Sequence, residues 1–372
     1  MHPKEVFKGG LYNQLRGLTA QLFPTNRSPH MKLTPGEIYF IGEKDLKTGL
    51  NTSYCKIGIV RDGAKGPRSS EERLLEHQTG NPRKLFLRDI VVAPAVEEIE
   101  TRVHRIFAPL RVNGEWLELT DEQYGEALRI TNTMAKEAEA SLSALQSAES
   151  LKDISSNGKS IEPPPEIVHA WNELNQAKAV SKLCDQGLVA IKKVISTFAA
   201  DQSVEGIVTV QERKGRVTFD QKQFEREHPE LFARYQVDKV SWKQRLTLSK
   251  QKDALDVESF SPGIGALMSE LDVKCGQVKG VDDLVHIHAV HVQLLSRESI
   301  ADWVTSLKEA FLKAALGENE AFEGICKWSR SETTTKAFDP KLLEVEMPEL
   351  YQKFVRQTES SQVVVVQPMV GY

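Results

Sequence analysis

The feature that most constrains this chain is a long-range repeat in its second half. Residues 204–220 read VEGIVTVQERKGRVTFD and are followed by HPELFARY; residues 322–339 read FEGICKWSRSETTTKAFD and are followed by MPELYQKF. Gly206 matches Gly324, Asp220 matches Asp339 and Pro229 matches Pro348, at an offset of 118 or 119 residues throughout. Phe232/Tyr235 and Tyr351/Phe354 keep aromatics at the same spacing. Three blocks in register point to a duplication. Each copy reads helix, strand, turn, strand, short helix, final strand. The expectation is therefore two similar α+β lobes, 166–250 and 285–372, joined by 251–284 and related by a pseudo-two-fold axis. Repeated units tend to bury their apolar faces against each other, so a protein partner or self-association is expected through this half.

The first half is organised differently. Residues 1–32 read as an accessory arm with a short amphipathic helix from Leu11 to Phe23. GEIYFIG (36–42), YCKIGIV (54–60) and LFLRDIVV (85–92) are short, apolar and rich in β-formers, so they read as three strands. A helix is expected from about Ser70 to His77, capped by Ser69 or Ser70 and ended by TGNP. A second is expected over 95–107, with Ile99, Val103 and Ile106 on one face. This gives a small three-stranded antiparallel sheet with flanking helices over 33–120. Thr120 and Gln123 form a capping box that opens a long Ala- and Glu-rich helix over 121–151. The stretch 152–165, KDISSNGKSIEPPP, reads as a linker, polar and ending in three prolines. The fold class is thus α+β, and 1–150 and 166–372 are expected to fold separately.

Charge limits what such a chain binds. The formal net charge is -4, which argues against a surface that coats nucleic acid everywhere. Any such contact needs a local basic patch. Residues 56–88 provide one: eight Lys/Arg stand there, including Arg61, Lys65, Arg68, Arg83 and Lys84. These five are the expected DNA contacts, against the plainer reading of a solvated loop. The four cysteines, Cys55, Cys184, Cys275 and Cys326, form no close pair, so neither a cysteine zinc site nor a disulfide framework is expected. With no signal-peptide core and no run of about 18 apolar residues, the expectation is a cytoplasmic protein that makes no membrane contact.

Cutting a phosphodiester requires a base for water, a cation for the pentavalent phosphate, a metal and a carboxylate to hold it. An ordered set of residues between 36 and 116 offers each. Gly36-Glu37-Ile38-Tyr39 and Lys56-Ile57-Gly58 resemble the two signatures of the GIY-YIG nuclease superfamily, with lysine where the second tyrosine stands. Arg73 ahead of Gln78 to Pro82, Glu100/His104/Phe107 and Gly114-Glu115-Trp116 are similar to the phage-type, DNA-binding branch. The resemblance covers about 90 residues. It implies a DNA endonuclease with Tyr39 as general base, Arg73 as phosphate clamp and Glu100 as ligand of a single Mg²⁺ (or Mn²⁺). Lys56, on the neighbouring strand, is expected to favour the Tyr39 phenolate. His77, one turn beyond Arg73, is expected to bind phosphate or relay a proton.

Plainer readings stand beside these. Tyr39 as a packed strand aromatic, Arg73 as a solvated helix arginine and Glu100 as part of an acidic face with Glu97 and Glu98 are the alternatives. Gly36, Gly58, Gly80, Asn81, His104 and Trp116 read as structural. Two functions remain open: an endonuclease of bacteriophage or mobile-element origin, or a DNA-binding protein without cleavage. The E-G-I, F-D and P-E-L blocks of the repeats are similar to the segment after the catalytic domain in YqaJ-type phage recombination exonucleases. They carry no catalytic set, so that half reads as a binding or assembly module.

Overall fold

Alternation along the strands builds a sheet with two different faces. The structure, a computed structural model, describes residues 31–63, 69–199, 202–251 and 254–367. The expected helix from Leu11 to Phe23, and Lys65 and Arg68, lie outside the described residues. β1 (Gly36–Lys44) pairs antiparallel with β2 (Asn51–Arg61) and with β3 (Lys84–Ala93). Ile38 and Phe40 of β1 and Cys55 and Ile57 of β2 enter one core; Tyr39 and Ile41, one residue out of phase, enter another. Helix α1 (Ser70–Gln78) covers the Tyr39 face through Leu74. Helix α2 (Val96–Ile106) covers the opposite face through Val96, Ile99 and Val103.

The expected three-stranded sheet gains two short strands, β4 (Arg111–Asn113) and β5 (Trp116–Glu118), giving the order β3-β1-β2-β5-β4. Gly114, at φ 53, turns the chain between them, and β5 covers the edge of β2 only from Tyr54 to Lys56. The long helix expected over 121–151 is two helices, α3 (Asp121–Ala140) and α4 (Leu142–Leu151), broken at Ser141. Its capping box is formed as expected: the Thr120 side chain accepts from the Gln123 amide, and the Gln123 side chain accepts from the Thr120 amide.

The stretch expected as a linker is pinned. Ser160–Ile161 forms β6, parallel to a strand of the second repeat copy at Ala321–Phe322. The Ser156 amide donates to the Arg330 carbonyl (3.1 Å) and the Asn157 amide to the Glu318 carbonyl (3.0 Å). The polar composition that suggested a loose connection instead supplies backbone pairs.

In the second half, α5 (Pro165–Ala199) carries the first copy's strands: β7 (Val208–Arg213), β8 (Val217–Phe219), and, after helices α6 (Gln221–Glu227) and α7 (Pro229–Arg234), β9 (Gln236–Leu248). The connector holds α8 (Val257–Phe260) and α9 (Ile264–Gln277). The second copy follows: α10 (Leu284–Leu316), β10 (Ala321–Phe322), β11 (Cys326–Phe338), α11 (Pro340–Glu346), α12 (Pro348–Lys353), β12 (Val355–Gln357) and β13 (Ser361–Val366). Helices α5 and α10 run antiparallel: Ile167 and Leu174 share a core with Leu312 and Leu316, while Ile191 and Ile195 share another with Leu284 and Ile287.

The two copies are not separate lobes. β11 of the second copy pairs along its whole length with β9 of the first, from Cys326 opposite Leu248 to Phe338 opposite Gln236. Reciprocally, β7 and β8 of the first pair with β13 and β12 of the second. The reason lies in the aromatic residues of the repeat. Phe219, Phe224, Phe232 and Tyr235 of one copy bury against Phe338, Leu343, Tyr351 and Phe354 of the other. Ring centroids lie 4.9 Å apart for Phe232–Phe338 and 5.1 Å for Phe219–Tyr351, both stacked. Exchange also satisfies strand edges that neither copy covers by itself.

The two halves also share a core. Trp303, Leu307 and Ala310 of α10 belong to the same cluster as Ile99, Val103, Ala138 and Leu145. Trp303 donates its indole N–H to Glu137 at 2.6 Å. Separate folding of 1–150 and 166–372, expected from the linker, would expose this surface. Among the described residues no helix is long and apolar enough to cross a membrane, and all four cysteines are free.

Candidate functional site

Five elements bring titratable groups together at the partly open edge of β2. Tyr39 stands directly across from Gly58 in the β1–β2 register, and its ring crosses over that residue. A Cβ at Gly58 would lie 2.4 Å from the Tyr39 hydroxyl oxygen, so glycine is what lets the ring lie there. Tyr39 is fully buried (0% exposed). Its hydroxyl is 3.2 Å from His77 Nε2. Burial pushes the hydroxyl above its ordinary pKa; Arg73 beside it pulls the other way, and Glu115 and Glu100 add to the rise.

Helix α1 supplies Arg73 and His77, four residues apart and hence on one face. Its start is fixed by Ser69, whose hydroxyl accepts from the Glu72 amide, and by Glu37 of β1, which accepts from the amide (3.1 Å) and hydroxyl (2.5 Å) of Ser70. The guanidinium of Arg73 pairs with Glu76 at 2.6 Å, and its Nε is buried without a partner. Burial, with Lys56 and Arg73 nearby, holds the His77 imidazole below its usual range. The Tyr39 hydroxyl and the His77 imidazole thus form one hydrogen-bonded pair facing Arg73.

The expected role of Lys56 is corrected here. It is buried (8% exposed), and its ammonium is committed to an ion pair with Glu115. The Tyr39 pKa moves up, not down, because burial outweighs the pull of Arg73. Burial alone would raise Glu115 too, but the Lys56 hydrogen bond and charge bring it below the ordinary carboxylate value. Glu115 was legible only as the middle letter of G-E-W, where Trp116 drew attention. Trp116 packs beside Tyr39 and Ile41. Arg111 is a second residue the sequence reading missed: burial pulls its pKa down, with Glu100 and Glu115 opposing.

Glu100 approaches from α2, on the other side of the sheet, and meets the group at the β2 edge. Its two acidic neighbours are engaged elsewhere: Glu97 with Lys32 and Arg61, Glu98 with Arg102. Glu100 Oε1 lies 3.5 Å from His104 Nε2, one turn on along the helix. His104 Nε2 is closer to the carbonyl of Ile57 (3.0 Å), so it ties α2 to β2 and holds Glu100 beside the strand. Among the described residues no group of three or more His, Cys, Asp or Glu is placed to hold a metal ion.

The remaining sequence candidates divide. Gln78 donates to the carbonyls of Asn81 (3.2 Å) and Arg83 (2.9 Å) and accepts from the Leu85 amide (2.8 Å). Asn81 Oδ1 accepts from the Arg83 amide (2.9 Å), and Gly80 turns the loop at φ 81. The Q-T-G-N-P stretch is thus a stapled loop that joins α1 to β3, and Gly36 opens β1. Arg83, expected on DNA, pairs instead with the buried Glu43, because that carboxylate needs a cation. Arg61 is likewise paired with Glu97. Lys84 is exposed.

Residues 36–132 match the T5orf172 domain, a phage-associated domain of the nuclease-related group. The match spans about a quarter of the chain and contains every residue of the site just described. No curated protein and no solved structure gives a match.

Proposed function

We propose that this chain acts on DNA and that the site at the β2 edge hydrolyses phosphodiester bonds. The observation that carries the reading is the convergence of Tyr39, His77, Arg73, Glu100 and the Lys56–Glu115 pair within the matched segment. In this reading Tyr39 is the general base, with His77 hydrogen-bonded to its hydroxyl. Arg73 offers a planar fork suited to phosphate oxygens, and Arg111 lies next to both glutamates. Glu100 would hold one hydrated Mg²⁺ or Mn²⁺. A single carboxylate with water and phosphate oxygens is a normal ligand set for Mg²⁺. When bound, the ion would stabilise charge on the cleaved phosphate.

A second reading rests on two specific facts: Tyr39 is fully buried and Lys56 is neutralised by Glu115. Both suit a domain that holds DNA without cutting it. Supercoiled plasmid incubated with the full chain, with and without Mg²⁺ or Mn²⁺, separates the two. Catalysis requires metal-dependent nicking that is lost in Glu100→Gln and Tyr39→Phe while binding persists. DNA binding with no nicking under either metal sinks the catalytic reading and leaves the binding one.

A further inference from the structure

The β9–β11 ribbon sorts its side chains by charge. Cross-strand partners in an antiparallel ladder project to the same face. Lys239 stands opposite Thr335, Lys243 opposite Ser331 and Arg245 opposite Ser329. Ser241 with Thr333 fills the gap between the two lysines, and Lys327 with Thr247 continues the row. One face therefore carries four cations and otherwise serine and threonine over five consecutive pairs. Both acids of the two strands, Asp238 and Glu332, fall on the other face, in register with Lys336 and Trp242. That second face anchors the ribbon through Trp328, Leu246 and Leu248 at one end and Phe338 at the other.

The cations of the basic face point into solvent. Lys239, Lys243, Arg245 and Lys327 are all exposed. Lys327 lies 3.4 Å from Glu320; among the described residues no carboxylate pairs with the other three. Folding does not require this pattern, because the exchanged ribbon of the other copy lacks it. There Arg213 faces Ser361, Gln211 faces Val363 and Thr209 faces Val365 in β7–β13, and Arg356 faces Thr218 in β8–β12, so two cations stand apart and form no row.

We propose that this face of the β9–β11 ribbon is a second DNA-binding element, which takes the phosphate backbone of duplex DNA. Cations and hydroxyls are the side chains that contact phosphate oxygens. Alternate residues along a strand lie about 6.8 Å apart, so the five pairs from Lys239 to Thr247 span about 27 Å. That is most of one turn of B-form DNA, about 34–36 Å, and a two-stranded ribbon is of a width the major groove admits. No aromatic side chain lies on the basic face, so it offers no platform on which single-stranded bases stack. The choice of DNA among polyphosphates rests on the reading of residues 36–132; the site itself is independent of catalysis there.

The test uses the full chain and a fluorescent duplex of about 30 base pairs, long enough for the span above. The triple variant Lys239→Ala/Lys243→Ala/Arg245→Ala replaces only exposed side chains. It is compared with Thr334→Ala/Lys336→Ala on the opposite face, with circular dichroism to verify folding. Anisotropy titrations across a salt series are expected to show roughly tenfold weaker binding or more at about 0.1 M salt for the triple variant. The log–log salt slope should fall in magnitude by about 3, close to 0.9 for each phosphate that the variant no longer neutralises. The opposite-face variant should match wild type. Unchanged affinity and slope in a folded triple variant overturn the proposal, as does an equal drop in affinity for a single-stranded oligonucleotide. Plasmid nicking assayed on the same samples keeps the two readings apart, since failure to nick leaves the binding comparison intact.

Discussion

A single methyl group added at Gly58 puts the geometry of the site under direct test. In Gly58→Ala the new carbon would lie 2.4 Å from the Tyr39 hydroxyl oxygen, 2.6 Å from Cζ and 3.0 Å from Cε2. The ring has no free space to move into, because Tyr39 is fully buried beneath Leu74 and beside Trp116. Forcing it aside is an overpacking cost of about 1–3 kcal/mol. Breaking the hydrogen bond to His77 Nε2 adds about 0.5–1.5 kcal/mol. Alanine's smaller unfolded-state freedom returns about 0.4–1 kcal/mol. The net destabilisation is about 0.5–4 kcal/mol, centred near 2, read as a lowered urea midpoint by circular dichroism. A double-mutant cycle with Tyr39→Leu isolates the cause. Without the ring, Gly58→Ala should be close to neutral, giving a coupling of about 1–2 kcal/mol. If the alanine costs as much in the Tyr39→Leu background, or stabilises the wild type, the ring-over-glycine account is refuted.

Three further perturbations probe the assembly. Trp303→Ala removes a side chain that is 2% exposed, donates to Glu137 and lies 5.3 Å from the Arg102 guanidinium. It should cost about 3–5 kcal/mol and make the connection between the halves more susceptible to protease; an unchanged melting profile would show that the halves do not depend on this residue. A chain ending at residue 353 lacks β12 and β13, and amide hydrogen exchange should then show reduced protection at 208–213 in the other copy, whereas separate lobes would leave that segment protected. Glu298, half-buried near Asp302 and Asp185, is raised to about 7. Its folded state keeps a proton that the unfolded state releases near pH 4.5, so it contributes stability below that pH that is lost as pH rises to about 7. Glu298→Gln should flatten urea midpoints across that window, and a variant whose midpoints keep the wild-type pH slope would contradict the assignment.

Local patterns in the sequence determined the local pieces. Short apolar runs rich in β-formers specified β1, β2 and β3, since a central strand such as β1 buries both its faces. Ser69 and the Thr120–Gln123 pair specified where α1 and α3 begin, because an exposed helix start needs a side-chain acceptor nearby. The order of Tyr39, Lys56, Arg73, Glu100 and G-E-W pointed to a segment that falls within the T5orf172 match. The duplication was legible as well, through Gly206/Gly324 and the aligned aromatics.

Only the tertiary structure decided how those pieces were partnered. Sequence spacing does not say which acid a cation meets: Arg83 went to Glu43, Arg61 to Glu97 and Lys56 to Glu115, each fixed by neighbours distant along the chain. The direction of the Tyr39 shift followed from burial under α1, which outweighs charges that sequence proximity alone would favour. Most of all, two copies with the same pattern satisfy the same strand edges whether they pair within themselves or with each other. The stacking of Phe219, Phe232, Phe338 and Tyr351 in one hub selected the exchange, because only the assembled pair buries all those rings. The exchange also set β9 against β11 and brought their cations onto one face.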